Sequence, residues 1–207
     1  MAPAPVPPSP GVPWVKVTQI GGDSSPFSSI AQAGFILIGV LAVSAQGLAA
    51  SLFYLIAYAF TTIGAFAIVS MVRDASGEAT HLSKWAGLGK KSPLVAALFS
   101  LFMLALAGIP LTSGFIGKFG VFTAAIDSGL TWLVIVGVIA SIIAAFFYVR
   151  VIVIMYFSDP TPDTASVVVP SAFTTIALAA GATVTIVLGI LPQPVLELVK
   201  QAGVFIR

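Results

Sequence analysis

Between Ser92 and Asp127 the chain reads SPLVAALFSLFMLALAGIPLTSGFIGKFGVFTAAID. This run is apolar at both ends and broken in the middle by Gly108-Ile109-Pro110-Leu111-Thr112-Ser113-Gly114. Proline has no backbone donor, and its ring clashes with the carbonyl four residues back. Glycine tolerates conformations that other residues avoid, and Thr112 and Ser113 can cap a new helix start. The pattern predicts two half-helices, residues 92–107 and 113–127, meeting around Gly108, Pro110 and Gly114. Together they have the length of a membrane crossing. Non-helical backbone at bilayer depth persists only where protein buries it or where it lines a wet cavity. A chain with such a break therefore has to pack other helices around it.

The composition agrees with a membrane interior. Of 207 residues, 58% are hydrophobic and 8% are charged, against about 25% charged in a soluble domain. Mean hydropathy is +1.10. A net charge of +2 gives no reason to expect a nucleic-acid partner. The chain has no cysteine and one histidine, His81. That excludes disulfides, thiolate metal sites and cysteine-ligated iron–sulfur clusters. No Gly-x-Gly-x-x-Gly loop is present for NADH or flavin. Neither a catalytic, a metal nor a cofactor site is expected in this chain.

Five spans are expected in an all-α, polytopic helix bundle: residues 29–46, 49–72, the broken 92–127, 130–157 and 171–191. Residues 1–28 are rich in Pro, Ser and Gly and suit an extramembrane tail, leaving 29–207 as the transmembrane domain. The longest polar connection, 73–91, carries Arg73, Lys84, Lys90 and Lys91 against Asp74 and Glu78. By the positive-inside rule it faces the cytoplasm, with His81 as an exposed loop residue. Trp132 and Tyr156 suit the aromatic belts of the fourth span. Arg150 lies about two turns from its end and can snorkel.

Lys118 is the one charged residue expected near the centre of a span, where charge costs about 2.5–3.5 kcal/mol or more. Burial disfavours an ammonium, and the N-terminal end of the second half-helix pushes the same way. The C-terminal end of the first half-helix, and water in the break, pull the other way. Such balance allows protonation to switch with small changes in nearby charge. A static structural lysine would want a carboxylate beside it, and Asp127 lies about 13 Å along the helix. The competing reading is a Pro-kinked helix, or two separate short helices, with Lys118 snorkelling to an interface. Tyr54, Tyr58 and Thr61 recur at helical spacing on the second span. They either line a wet path beside Lys118 or pack with cross-helix hydrogen bonds, the second being favoured. Gln32 reads as interhelical hydrogen-bond glue.

The run LALAGIPLTSGFIGKF resembles the discontinuous-helix signature of the antiporter-like membrane subunits of respiratory complex I, above all the subunit N family of bacterial NADH-quinone oxidoreductase, the counterpart of mitochondrial NADH dehydrogenase subunit 2. Ser28-Ser29-Ile30-Ala31-Gln32-Ala33-Gly34-Phe35, Tyr54 to Phe66, Phe147-Tyr148-Val149-Arg150 and Gly189 to Leu196 are similar to further segments of that family. Relatives often carry His at Gln32, and glutamine cannot titrate. The resemblance runs from about residue 28 to 200. Complete family members are longer, so it implies a C-terminal portion of one.

The resemblance also implies a multi-pass plasma-membrane protein that contributes to proton translocation coupled to electron transfer from NADH to quinone. Lys118 would be the proton-translocation residue. The partners would be the other membrane subunits of complex I and the lipid bilayer. NADH, flavin, iron–sulfur clusters and quinone would belong to other subunits, so enzyme activity would belong to the complex, not to this chain. Two alternatives stay open. One is a subunit of a related cation/proton antiporter or membrane-bound hydrogenase. The other is a non-pumping structural membrane fragment.

Overall fold

The computed structural model describes residues 26–74, 77–79, 81–160 and 164–203. The expected tail falls almost wholly outside the described residues, as do Asp163 and Arg207.

The first two helices form a tight hairpin. Helix α1, Pro26–Leu41, ends before the expected residue 46, and α2, Ala45–Met71, begins four residues earlier than the expected 49. Ser44 is the reason for the shift. It adopts an extended conformation and its hydroxyl accepts the Gly47 N–H, capping α2. Val43 takes a positive φ of 47° to make the corner. Gln46 therefore opens the second helix instead of closing the first.

The polar connection after α2 is more ordered than a loop. Strands β1, Val72–Asp74, and β2, Gly77–Glu78, pair antiparallel. β3, Ser166–Val167, adds to the other edge of β1, with Val72 opposite Val167. A 3-10 turn, Leu82–Trp85, and a short helix α3, Leu88–Lys91, follow. Trp85 is fully buried, stacks on Phe99 and donates its indole N–H to the Ala79 carbonyl. The little sheet is the departure from an all-helical chain. It joins the connection after α2 to the one preceding the last membrane helix, so both lie at one end of the bundle. His81 is exposed there. At the same end Lys90 donates to Asp159 at 2.7 Å, and this hydrogen bond holds the Asp159 carboxyl below its ordinary value.

The broken crossing follows. Helix α4 spans Pro93–Ala107 and α5 spans Ser113–Asp127. Then come α6, Thr131–Phe157, and α7, Ala172–Ile190, each within a residue of its expected bounds. α2, α6 and α7 are each long and apolar enough to cross a membrane. An additional helix, α8, Gln193–Gly203, closes the described chain. It was not expected, because only one of its faces is apolar. Val199 of α8 packs with Ala49, Phe53 and Ala57 of α2 and with Leu188.

α2 is the hub, packed against α1, α4, α5, α7 and α8. In lipid, apolar side chains gain little by leaving the tails, so helices associate through close packing and small residues. The α2–α7 crossing is built that way: a Cβ on Gly181 would sit 2.9 Å from the Gly64 Cα. Bulk fills the far side, where Phe99, Phe102 and Met103 of α4 pack with Ile68 and Val69 of α2.

A lysine on the carbonyls of a broken helix

The break forms where it was expected, and each residue has a separate job. Gly108 ends α4 in the left-handed region, at φ +80°. Its N–H reaches the Leu104 and Ala105 carbonyls, and the Ile109 N–H also returns to Leu104, a C-terminal closure that favours glycine. Pro110 then removes a donor. In a continuous helix the Leu106 carbonyl would take the N–H four residues on, and residue 110 has none. Leu111 at φ +71° carries the chain further out of the helix.

Gly114 is different. It is helical, and its role is close approach: a Cβ there would lie 1.9 Å from the Ala105 carbonyl oxygen. Nor do the expected caps behave as caps. Thr112 precedes α5, but its hydroxyl donates back to the Ile109 carbonyl at 2.7 Å. The Ser113 hydroxyl is buried with no protein partner.

Lys118 answers the break. It starts one turn into α5 and is 5% exposed, so it is buried within the chain instead of snorkelling. Its side chain lies over Gly108, where a Cβ would stand 2.9 Å from the lysine Cδ. Nζ donates to the Leu106 and Ala107 carbonyls, each at 3.0 Å, and to Ser141 Oγ on α6 at 2.9 Å. These are the carbonyls that Gly108 and Pro110 leave unpaired, at the partially negative end of α4. The Phe35 ring lies 4.7 Å from Nζ, within cation–π range. Among the described residues no carboxylate pairs with it.

Beside the lysine lies a second polar group. Gln32 of α1 is 1% exposed. Its Nε2 donates to the same Leu106 carbonyl at 3.0 Å and to the Tyr148 hydroxyl at 3.3 Å. Tyr54 donates its hydroxyl to Gln32 Oε1. Gln32 thus ties α1, α2, α4 and α6 together, the part read for it from sequence. Of the three residues proposed to line a path, Tyr54 stands next to the site, and its ring packs on Gly117. Thr61 turns instead to α7, with its hydroxyl 3.1 Å from that of Thr185 and donating to the Ala57 carbonyl. Tyr58 packs at the edge of the α2–α4 cluster. Arg150 is exposed on α6.

Sequence reading missed Ser141, Phe35 and the Leu106 carbonyl. A serine in an apolar helix and an aromatic on another carry no local mark of a lysine between them. The carbonyl could have been found, because a proline at 110 always orphans the oxygen at 106.

A family model described as NADH:quinone oxidoreductase/Mrp antiporter, transmembrane, matches residues 26–144. Subunit N 3 of NADH-quinone oxidoreductase from Streptomyces griseus is 62% identical over 181 residues, covering 87% of this chain and 33% of the relative. Subunit N from Rhodococcus opacus is 61% identical, covering 87% and 34%. The chain thus spans about a third of the length of these relatives. Among solved structures, the Mrp complex of a Dietzia species superposes with a TM-score of 0.74 at 25% identity, over 92% of this chain and 44% of that one. Respiratory complex I from Thermus thermophilus with bound NADH gives 0.68 at 17% identity, over 91% and 42%, a likeness of fold. This chain, a multi-pass protein of the plasma membrane, belongs to the NADH:quinone oxidoreductase/Mrp antiporter transmembrane family and within it matches subunit N.

Proposed function

We propose that this chain is a proton-translocating part of subunit N in an NADH-quinone oxidoreductase, with Lys118 as its proton station. The observation that carries this reading is the seating of Lys118: buried, with no acidic partner among the described residues, on two carbonyls that exist as free acceptors only because the helix is broken. A lysine serving only as an anchor would gain more from a carboxylate or from water at an interface. Here the ammonium has three N–H donors and three acceptors, two of them set by the backbone. The proton can leave without dismantling a salt bridge. Quinone reduction, NADH oxidation and the cofactors they need belong, in this reading, to other subunits, and the chain's partners are the neighbouring membrane subunits and the bilayer. The 62% and 61% identity to subunit N relatives supports a subunit N reading.

The test is made in the whole complex, with this segment carried in a complete subunit. Lys118→Met removes the titratable amine and keeps the length. Lys118→Arg keeps the charge, but guanidinium does not release its proton in a protein. Both should assemble, oxidise NADH and pump fewer protons per electron pair. Normal pumping by an assembled Lys118→Arg complex would overturn the reading.

A further inference from the structure

We infer that Ser141 is the group through which Lys118 exchanges its proton, and that the Gln32–Tyr54–Tyr148 cluster beside it is not. The inference rests on Lys118 being the proton station. It follows from the direction of each hydrogen bond.

Lys118 Nζ has three acceptors: the Leu106 carbonyl, the Ala107 carbonyl and the Ser141 hydroxyl. A backbone carbonyl only accepts, whereas a hydroxyl both accepts and donates. Ser141 alone among the three can therefore take a proton on one side while releasing one on the other.

The neighbouring cluster is close but polarised the wrong way. Gln32 Nε2 and Lys118 Nζ both donate to the Leu106 oxygen. Two donors meeting on one acceptor leave no proton path between them. Tyr54 in turn donates toward Gln32 Oε1, so neither Gln32 nor Tyr54 directs a hydrogen bond at the lysine nitrogen. The cluster's work is to hold the Leu106 carbonyl, and with it the lysine's seat.

Position supports the same assignment. Val134, Gly137, Ser141, Ala144 and Tyr148 follow helical spacing along the inward face of α6. The other four are buried and Ser141 is half-buried, whereas Lys118 is 5% exposed. The serine stands between the enclosed amine and the outer side of α6.

The step balances without any redox partner; water is the co-reactant. One N–H bond of the ammonium breaks and that proton bonds to Ser141 Oγ. The original Ser141 O–H bond breaks at the same time and its proton passes to a water molecule. The ammonium becomes an amine, the water becomes hydronium and the serine is unchanged. The new O–H now donates to the nitrogen lone pair, so the Lys118–Ser141 hydrogen bond has reversed. Neither carbonyl can undergo that reversal.

Three variants test the assignment in the whole complex, read as protons pumped per NADH beside NADH oxidation and assembly. Ser141→Thr keeps the hydroxyl and should pump as the native complex does. Ser141→Ala removes it and should lose as much pumping as Lys118→Met. Ser141→Asn offers an acceptor oxygen that can hold the ammonium but cannot hand on a proton, so it should also pump poorly. Asn pumping as well as Thr would mean that the serine only holds the lysine, and the inference would fall. Native pumping by an assembled Ser141→Ala complex would overturn it outright. If Ala does not assemble, the contrast between Thr and Asn still decides. Impaired Lys118→Arg with unimpaired Ser141→Ala would remove this inference and leave the lysine's role standing. Unimpaired Lys118→Arg would remove the proposed function itself.

Discussion

Two crossings lie against each other at the centre of the bundle and treat their polar groups differently. α2 is unbroken over 27 residues, so each interior carbonyl finds its own N–H. Its side-chain hydroxyls turn back to its own carbonyls, Thr61 to Ala57 and Ser70 to Ala67, or reach across to neighbouring helices, Ser51 to the Ile36 carbonyl and Tyr54 to Gln32. The α4–α5 pair is of similar apolarity but interrupted. Its orphaned carbonyls at Leu106 and Ala107 draw donors from two other places, Gln32 on α1 and Lys118 on α5. The lesson is that an intact membrane helix satisfies its own carbonyls, while a gap in the backbone creates acceptors around which polar groups from other helices can form a site.

The sharpest way to break this comparison is to ask whether the interrupted pair crosses at all. Single cysteines at Ser83, before α4, and Ser128, after α5, are both exposed positions. If α4 and α5 form one crossing, an impermeant reagent should label Ser83→Cys only from the cytoplasmic side and Ser128→Cys only from outside. The basic residues near Ser83 set that orientation. Labelling of both from one side would make the pair a re-entrant hairpin.

Next come the close approaches that each crossing depends on. At Gly114 a Cβ would meet the Ala105 carbonyl oxygen at 1.9 Å, a backbone wall. Gly114→Ala should destabilise by about 1–3 kcal/mol or more, the cost of overpacking. On the unbroken helix, a Cβ at Gly64 would meet the Phe102 ring at 2.2 Å, and a ring can turn aside more readily than a backbone. Gly64→Ala should cost less than Gly114→Ala. At Gly34 nothing lies within 4 Å of the added methyl, so Gly34→Ala should be neutral or gain up to about 1 kcal/mol of helix propensity. Thermal unfolding in detergent ranks the three, and Gly64→Ala proving the worst would show the break to be the more forgiving region.

Gln32→Leu probes the donors at the break. It takes the acceptor from the buried Tyr54 hydroxyl and one of the two donors from the Leu106 carbonyl. A loss of about 1–3 kcal/mol is expected for the stranded hydroxyl, with pumping by the assembled complex largely kept, because Lys118 retains its own acceptors. Pumping that falls as far as in Lys118→Met would erase the distinction between holding the site and conducting through it.

The smallest effect is expected at the surface end, far from both crossings. The Lys90 ammonium lowers the Asp159 carboxyl, so this group is ionised more readily in the folded chain than in the unfolded one. Its contribution to stability is present above the unfolded carboxylate value of about 3.9 and is lost as pH falls through the lower folded value. Both side chains are exposed, at 56% and 92%, where pairs contribute little. Asp159→Asn should leave the melting temperature at pH 7 almost unchanged, and what difference exists should vanish in acid. A large change at pH 7 would mean that the sheet-bearing end is held by charge rather than by Trp85 and its neighbours.

The amino-acid sequence by itself determined where helices start and stop around the break. Proline without an N–H and glycine free to take φ +80° act locally, on the next few residues. The half-helix at 113–127 was legible to the residue for that reason. The ends at 41 and 45 were less legible. Nothing apolar changes there, and the turn depends on one capping serine and one valine in a strained conformation. Helix α8 escaped because half of its surface is polar, and its apolar face becomes visible only once α2 offers Phe53 to it. The small sheet escaped because β1 and β3 lie more than ninety positions apart in the chain.

The sequence likewise marked Lys118 as out of place in an apolar helix, and could go no further. Which oxygens receive its three donors was decided by the tertiary fold. Gly114 lets α5 press against the end of α4, α6 brings Ser141 alongside, and α1 sets Gln32 as a second donor on the Leu106 carbonyl. Hydrogen bonds act over about 3 Å, and the residues that make these are separated by up to 74 positions. Only the packing of five helices around the gap between two of them brings such groups within that distance.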